Sequence, residues 1–147
     1  MIVLLDAGPL GMITNPRSSP ENEACKNWLA SIASRGREVM IPEIADYEVR
    51  RELLRAGKEQ GIKRLDALKS LLAYAPITTP VMLRAAAFWA SARKMGRQSA
   101  DDTSLDADMI LAAQAATLGD RDDVMIATTN IRHLALFATA RAWREIS

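Results

Sequence analysis

Short apolar runs alternate with longer amphipathic segments along this chain. Three runs rich in aliphatic residues predict buried strands: IVLL at 2–5, EVMIP at 38–42 and VMIATTN at 124–130. The short ITT run at 77–79 and the ARAWREI stretch at 140–146 predict two further strands. Strands that are apolar on both faces and alternate with helical segments are typical of a parallel sheet that is covered on both sides.

The amphipathic segments predict helices, and several of them carry start and stop residues. Ser19 before Pro20 predicts an N-cap followed by proline at the first helical position, and Gly36 ends that helix. Four further helices are predicted over residues 43–57, 58–76, 80–96 and 105–119. No repeat, linker or low-complexity stretch divides the 147 residues, so the sequence predicts a single domain over 1–147 in the α/β class.

Composition narrows the possible functions. With 19 basic and 18 acidic residues and 5% aromatics, the chain has neither an overall polycationic signal nor a stacking platform for nucleic acid. One cysteine, Cys25, excludes an internal disulfide, and one histidine, His133, excludes an HExxH-type zinc site and argues against a Ser-His-Asp triad. The first residues lack the basic start of a signal peptide, and no apolar run approaches the length of a membrane span. We therefore expect a cytoplasmic protein with no membrane partner.

The first candidate for chemistry is Asp6, which follows the strand at 2–5 directly. In open α/β sheets, ligands bind outside the carboxyl ends of the strands, so the Asp6 carboxylate should lie where a ligand would bind. An aspartate at this position can also simply cap the turn that contains Gly8 and Pro9. Both interpretations remain open from this residue alone.

The stretch LDADMILAAQA at 105–115 begins with two acids, and they cannot share one role. Successive helical residues are rotated by about 100°, so Asp106 and Asp108 point about 200° apart. Asp106 has capping-box spacing to Thr103 and is given a peripheral role. Asp108 lies on the apolar stripe of the helix, where a carboxylate needs a basic residue or a metal ion to offset its desolvation.

The helix at 43–57 offers a third acid, with four candidates: Glu43, Asp46, Glu48 and Glu52. A solvated helix face is the default interpretation for most of them. Glu48 and Glu52 are one turn apart and could face one site, although nearby arginines are placed to pair with acids along the surface.

The strand at 124–130 ends in three polar residues, Thr128, Thr129 and Asn130. The two hydroxyls could bond a ligand water or a phosphate, or could only satisfy backbone groups. Asn130 could meet Asp6, Glu48 and Asp108 at one edge of the sheet. A cluster of oxygen ligands without histidine or cysteine suits Mg²⁺ or Mn²⁺ rather than zinc.

Four segments in order resemble the PIN-domain family, and specifically the VapC-like toxins of bacterial toxin–antitoxin pairs. They are LLDAGPL, IPEIADYEVRREL, LDADMILAAQA and VMIATTNIRHLALF, and they spread over essentially the whole chain. The resemblance implies a three-layer α/β/α sandwich with a central parallel sheet and a Mg²⁺-dependent ribonuclease activity, with Mn²⁺ as a possible substitute. It also implies an RNA substrate, inhibition by a small protein antitoxin and a homodimer.

Carried over by motif, the resemblance gives Asp6, Glu48 and Asp108 as metal ligands and catalytic residues, with Asn130 as the fourth catalytic position. Many members of the family carry aspartate where this chain has Asn130. An amide can ligate through its carbonyl oxygen, but it brings no charge. The alternative is therefore a degenerate PIN-like protein that binds RNA or an antitoxin without cleavage.

Basic residues near these motifs could contact RNA phosphates, or could form no more than a solvated basic face. They are Arg50, Arg51, Arg55 and the Arg93–Lys94–Arg97 group. Two other phosphoryl-handling classes fit less well. A receiver domain requires a second acid near the first strand and a lysine after a late strand, and neither is visible here. A haloacid-dehalogenase-type phosphatase requires a DxD motif after its first strand, where this chain has DAG.

Overall fold

The computed structural model describes residues 1–96 and 102–147, with side chains in the second range from residue 105 onward. The strands are β1 (Ile2–Leu5), β2 (Glu38–Pro42), β3 (Ala73–Ala75), β4 (Val124–Thr128) and β5 (Thr139–Ala142). The helices are α1 (Ala7–Thr14), α2 (Pro20–Ser34), α3 (Glu43–Arg55), α4 (Glu59–Leu71), α5 (Thr79–Lys94) and α6 (Asp102–Leu118). Short 3₁₀ helices follow at Arg132–Leu136 and Trp143–Glu145.

The strands form one parallel sheet in the order β3-β2-β1-β4-β5. The chain winds outward from β1 to β3, then crosses back to β4 and continues to β5. The direction of winding therefore changes between β1 and β4, where Leu5 is in register with Ala127. Diverging connections leave a crevice at such a switch point, on the carboxyl side of the strands.

Two apolar cores, one on each face of the sheet, confirm the predicted α/β/α layers. Val3 and Leu5 face a core that includes residues of α1, α2 and α3, whereas Leu4, between them, faces residues of α6. Side chains alternate faces along a strand, so a run of consecutive apolar residues serves both layers. Helix α5 packs on α6 through Val81, Ala85 and their neighbours.

The third strand is not where the sequence predicted it. The prediction placed a strand at 77–79 and a helix through residue 76, whereas α4 ends at Leu71 and β3 occupies Ala73–Ala75. The apolar stretch around β3 has no alternation that distinguishes a short strand from a helix end, and pairing with β2 decides the outcome. Thr78, predicted as strand, instead caps α5 by accepting the Val81 N–H at 3.3 Å.

The last strand was predicted at 140–146, but β5 spans Thr139–Ala142 and a 3₁₀ turn follows. The tertiary contacts of two tryptophans explain the early end. Trp143 packs against Trp28 of α2 with ring centroids 5.6 Å apart. The Trp28 Nε1–H also donates to the Ile146 carbonyl at 2.8 Å. These contacts direct the chain away from the sheet edge.

Helix α6 begins at Asp102, three residues before the predicted start, and it contains a buried polar residue. Gln114 is 1% exposed. Its Oε1 accepts the Ile44 N–H at 3.4 Å and its Nε2–H donates to the Ala75 carbonyl at 2.7 Å, so it ties α6 to α3 and β3. The predicted cap by the Thr103 side chain and the basic residue Arg97 lie outside the described residues.

Cys25 is fully buried in the core beside α1, as expected of a cysteine that acts as a small apolar residue. Burial raises the pKa of its thiol to about 12. Among the described residues, no helix combines the length and the apolar character that crossing a membrane requires.

Candidate active site

Asp6 lies at the carboxyl end of the central strand β1 and begins helix α1. Its Oδ1 accepts the Ala7 N–H at 2.8 Å, so the capping interpretation is correct. Its Oδ2 accepts a second hydrogen bond, from the Thr128 Oγ1–H at 2.6 Å. Asp6 is therefore held from two sides, by its own helix and by the end of the neighbouring strand β4.

The end of β4 places Thr128, Thr129 and Asn130 beside Asp6. Thr128 is buried, and its hydroxyl also accepts the Asn130 N–H at 2.9 Å, which shapes the turn after the strand. The side chains of Thr129 and Asn130 are exposed at the same edge. Thr128 thus organises a carboxylate, and Asn130 lies next to it with its amide side chain in solvent.

Gly8 allows α1 to pass close to this turn. A Cβ built on Gly8 would lie 2.5 Å from the Thr129 Oγ1 and 2.8 Å from its Cγ2, closer than any normal contact. The glycine of the LLDAG segment therefore makes room for the Thr129 side chain, which follows β4. Its absence of a Cβ allows Thr129 to lie close to the N-terminus of α1, next to Asp6.

Helix α3 contributes Glu48, and its other three acids have partners elsewhere. Glu43 accepts the Ile77 N–H at 2.8 Å, Asp46 pairs with Arg50 at 3.0 Å, and Glu52 pairs with Arg55 at 2.9 Å. Glu48 makes no hydrogen bond or ion pair within the part of the chain that the structure describes. It is half-buried and faces the edge where Asp6 lies.

Helix α6 contributes Asp108, whose carboxylate is 23% exposed. Its neighbours on the stripe, Leu111, Ala112 and Ala115, are buried as the helical pattern predicted, and Asp106 is exposed. The partner that offsets the desolvation of Asp108 is His133, whose Nδ1 lies 3.2 Å from the Asp108 Oδ2. No pattern in the sequence predicted this contact of His133.

The three acids Asp6, Glu48 and Asp108 act on one another electrostatically. Burial raises the pKa of Glu48 to about 7, with Asp6 and Asp108 contributing in the same direction and Arg51 opposing them. Burial likewise raises the pKa of Asp6, against hydrogen bonds from Thr128 and Ala7. Burial raises the pKa of Asp108 against the bond from His133, and the charge of Asp6 adds to the rise. We refer to Asp6, Glu48 and Asp108 as the three site acids.

The donor set of this site fits a hard divalent cation. Its side chains offer carboxylate and hydroxyl oxygens, which Mg²⁺ and Mn²⁺ prefer, and a cation would relieve the mutual repulsion of the acids. Within the described residues, however, no three acidic, histidine or cysteine side chains are already grouped closely enough to hold one ion. Asp6 accepts a hydrogen bond from Thr128 on its Oδ2, and His133 lies within hydrogen-bond distance of the Asp108 Oδ2.

Fold and site together define a class of α/β proteins with acidic side chains near the switch point of a parallel sheet. A model of the PIN domain family matches residues 3–136, and the chain belongs to this family. A search among curated proteins found no match.

Solved structures show the same fold at low sequence identity. VapBC2 from Rickettsia felis, bound to a DNA fragment from its promoter, matches with a TM-score of 0.74, 16% identity and coverage of 97% of this chain and 99% of that one. VapBC-1 from nontypeable Haemophilus influenzae matches with a TM-score of 0.67 and 17% identity, over 99% of this chain and 100% of that one. Mycobacterium tuberculosis VapC20, a toxin that cleaves the sarcin-ricin loop, matches with a TM-score of 0.65 and 12% identity, over 91% of this chain and 94% of that one. At these identities the likeness concerns the fold.

Proposed function

We propose that this protein is a divalent-metal-dependent endoribonuclease and the toxin of a toxin–antitoxin pair. The observation that carries the proposal is the convergence of the three site acids, from the end of β1 and from α3 and α6, at one edge of the sheet. There Asp6 and Asp108 raise the pKa of Glu48, and Asp6 raises the pKa of Asp108. Membership of the PIN domain family and the likeness of the fold to VapC toxins support the same conclusion.

In this proposal Asp6, Glu48 and Asp108 hold Mg²⁺ or Mn²⁺, directly or through water, and Asn130 lies at the fourth catalytic position. A bound ion of this kind lowers the pKa of a water molecule and neutralises charge on a scissile phosphate. Thr128 restrains the Asp6 carboxylate through its hydroxyl. The exposed side chains of Thr129 and Asn130 can donate hydrogen bonds to a phosphate oxygen at the same edge.

A groove beside Glu48 gives RNA a route to the site. Its volume is about 770 Å³, it runs between α1 and the α3–α4 turn, and Arg17, Arg55 and Lys58 line it together with Glu48. These cations can neutralise phosphates that flank the cleaved bond. Two arginines of α3 already have acidic partners: Arg50 is bonded to Asp46 and Asp66, and Arg55 is bonded to Glu52. Arg17 and Lys58 are therefore better suited to this role.

Cleavage of short RNAs in the presence of different ions tests the activity. We expect no cleavage in EDTA, restored cleavage with Mg²⁺ or Mn²⁺, and little with Zn²⁺, because the donors are oxygen atoms. Cleavage that persists in EDTA would contradict the metal-dependent mechanism.

The alternative is a PIN domain that binds RNA or an antitoxin without cutting. Asn130 favours it, since an amide adds no negative charge where a further carboxylate would strengthen ion binding. RNA retained on a filter but not shortened, with every ion tested, would support this alternative over the nuclease.

We further propose a small protein antitoxin, a homodimer and a cytoplasmic location. The likeness to VapBC complexes supports the antitoxin. Co-expression with the product of the adjacent reading frame tests it: a stable complex with suppressed RNA cleavage is expected, and free toxin beside an unbound partner would contradict it. Light scattering of the purified protein tests the homodimer.

A further inference from the structure

His133 occupies a sharp turn that follows the edge of the site. It lies in the 3₁₀ helix Arg132–Leu136, directly after β4 and its terminal turn. Arg132 has a φ of +24°, a backbone conformation that few residues other than glycine adopt, so the chain reverses abruptly before His133. His133 is 7% exposed, and its neighbour Leu134 packs into the core on the α6 side of the sheet. The imidazole is therefore fixed by its surroundings.

The geometry of the contact between His133 and Asp108 indicates which side chain donates the hydrogen bond. The Nδ1 atom lies 3.2 Å from the Asp108 Oδ2, and an acceptor nitrogen would repel a carboxylate oxygen at that distance. The proton therefore sits on Nδ1, and the N–H donates to Oδ2. Among the described residues this is the hydrogen bond that the Asp108 side chain receives, so Oδ1 stays available.

We propose that His133 is a positioning residue that orients the Asp108 carboxylate for ion binding through the Nδ1–H···Oδ2 hydrogen bond. This inference rests on the metal site of the proposed function. A carboxylate held on one oxygen presents the other in a restricted set of directions, which lowers the entropy that is lost when an ion binds. Thr128 has the equivalent relation to Asp6, so two of the three site acids are held by residues at or after the end of β4.

The rival interpretation is a structural tie between α6 and the segment after β4. Both interpretations predict that removal of His133 lowers the melting temperature. They differ on ion affinity and on rescue, because only the positioning role depends on a donor at the place of Nδ1. His133→Asn keeps an N–H donor near that place, whereas His133→Leu fills the space without one.

Calorimetric titration with Mn²⁺ separates the two. His133→Leu should bind Mn²⁺ about 10-fold more weakly or worse than the parent, the range found for donors that support metal ligands, and His133→Asn should stay within about threefold. Trp28→Phe is the matched control, since it removes a buried hydrogen bond to Ile146 on the opposite face of the sheet. It should lower the melting temperature and leave Mn²⁺ affinity unchanged.

Two results would overturn the inference. His133→Leu with parental Mn²⁺ affinity would leave the metal site standing and refute the positioning role alone. A parent that binds no Mn²⁺ would refute the metal site together with the role of His133.

Nitrogen NMR of the parent protein gives an answer that needs no substitution at His133. Because the sequence contains one histidine, one imidazole spin system is expected. We expect a protonated Nδ1 whose signal shifts on Asp108→Asn and on addition of Mg²⁺. An Nδ1 without a proton, or one indifferent to both changes, would contradict the hydrogen bond.

Discussion

Helix α3 presents two acids two residues apart, and their surroundings are opposite. Asp46 is buried and contacts Arg50 at 3.0 Å and Lys69 at 3.7 Å, so its negative charge is matched by cations of its own helix and of α4. Glu48 faces two further acids, Asp6 and Asp108, and the charge of Arg51 opposes them without forming an ion pair with Glu48. The fold provides cations that pair with the Asp46 carboxylate, and within the described part of the chain it provides none that pairs with the Glu48 carboxylate.

The difference shows how a structural acid is distinguished from a functional one. A buried carboxylate is costly unless it is paired, and a fold that needs one for stability supplies the cation. Asp6 and Asp108 have hydrogen-bond partners and Glu48 has none, and among the described residues none of the three forms an ion pair with a lysine or an arginine. They therefore remain able to attract a cation from solution. This contrast between Asp46 and the three site acids can be tested through RNA cleavage, stability, pH dependence and ion affinity.

The largest effect is expected on RNA cleavage. Asp108→Asn or Glu48→Gln should lower kcat on the order of 100-fold or more, since loss of a direct metal ligand costs at least as much as loss of a supporting donor. Asp66→Asn is the control, because Asp66 pairs with Arg50 on the outer side of α3 and is exposed. Its activity should stay near that of the parent. Equal losses in both variants would abolish the distinction between the two acid groups.

The converse effect is expected on stability. Asp46→Asn leaves Lys69 without its carboxylate and Arg50 with Asp66 alone, so it should lower the free energy of unfolding by about 1–3 kcal/mol. Mn²⁺ affinity should not change. Glu48→Gln should show the opposite pattern, with lost Mn²⁺ affinity and no loss of stability in EDTA. Urea unfolding with calorimetry measures both quantities, and a stability loss in Glu48→Gln would mean that Glu48 is structurally compensated after all.

A third effect concerns pH. The folded state raises the pKa of Glu48 from its ordinary value of 4.5 to about 7, so it holds the proton more tightly than the unfolded chain does. The stabilisation that protonated Glu48 provides is complete below about pH 4.5 and is lost as pH rises to about 7. In EDTA the melting temperature should fall over this interval, and the fall should be smaller in Glu48→Gln. A parent and variant with identical pH profiles would place Glu48 in solvent, away from the other site acids.

The smallest effect is expected from Asn130→Asp, which adds a negative charge beside Asp6. Because the side chain is exposed, water screens the added attraction to about 1 kcal/mol, and Mn²⁺ affinity should rise by up to about tenfold. Gln60→Glu adds the same charge on the exposed surface of α4 and should leave the affinity unchanged. An equal response of both variants would show that Asn130 points away from the site.

Much of the fold was predictable because its strands are long enough to show a pattern. β1 and β2 coincide with the apolar runs predicted for them, and β4 ends at Thr128, two residues before the predicted end of its strand. β3 has three residues and follows a helix of similar composition, so its place depends on pairing with β2. The early end of β5 depends on contacts of Trp143 with Trp28, which are far apart in the sequence.

Some residues of the candidate site could likewise be predicted from local sequence patterns, and others could not. Position at a strand end singled out Asp6, and the helical stripe singled out Asp108. Among the four acids of α3, only the family resemblance selected Glu48. The contacts of Glu43 with Ile77 and of Asp46 with Lys69 come from distant segments and leave no local pattern. His133 was missed since no local pattern brings a histidine of a 3₁₀ helix to a carboxylate 25 residues earlier.

The sheet order also has a consequence for when the site forms during synthesis. Asp6 and Thr128 are in contact although 122 residues separate them along the chain. Pairing of β1 with β4 is a long-range contact, and such contacts form late because closing a long loop costs entropy. A growing chain that has not yet emerged as far as His133 lacks the donors that hold Asp6 and Asp108. The site is therefore completed only after the segment through His133 has left the ribosome, and products truncated before His133 cannot assemble it.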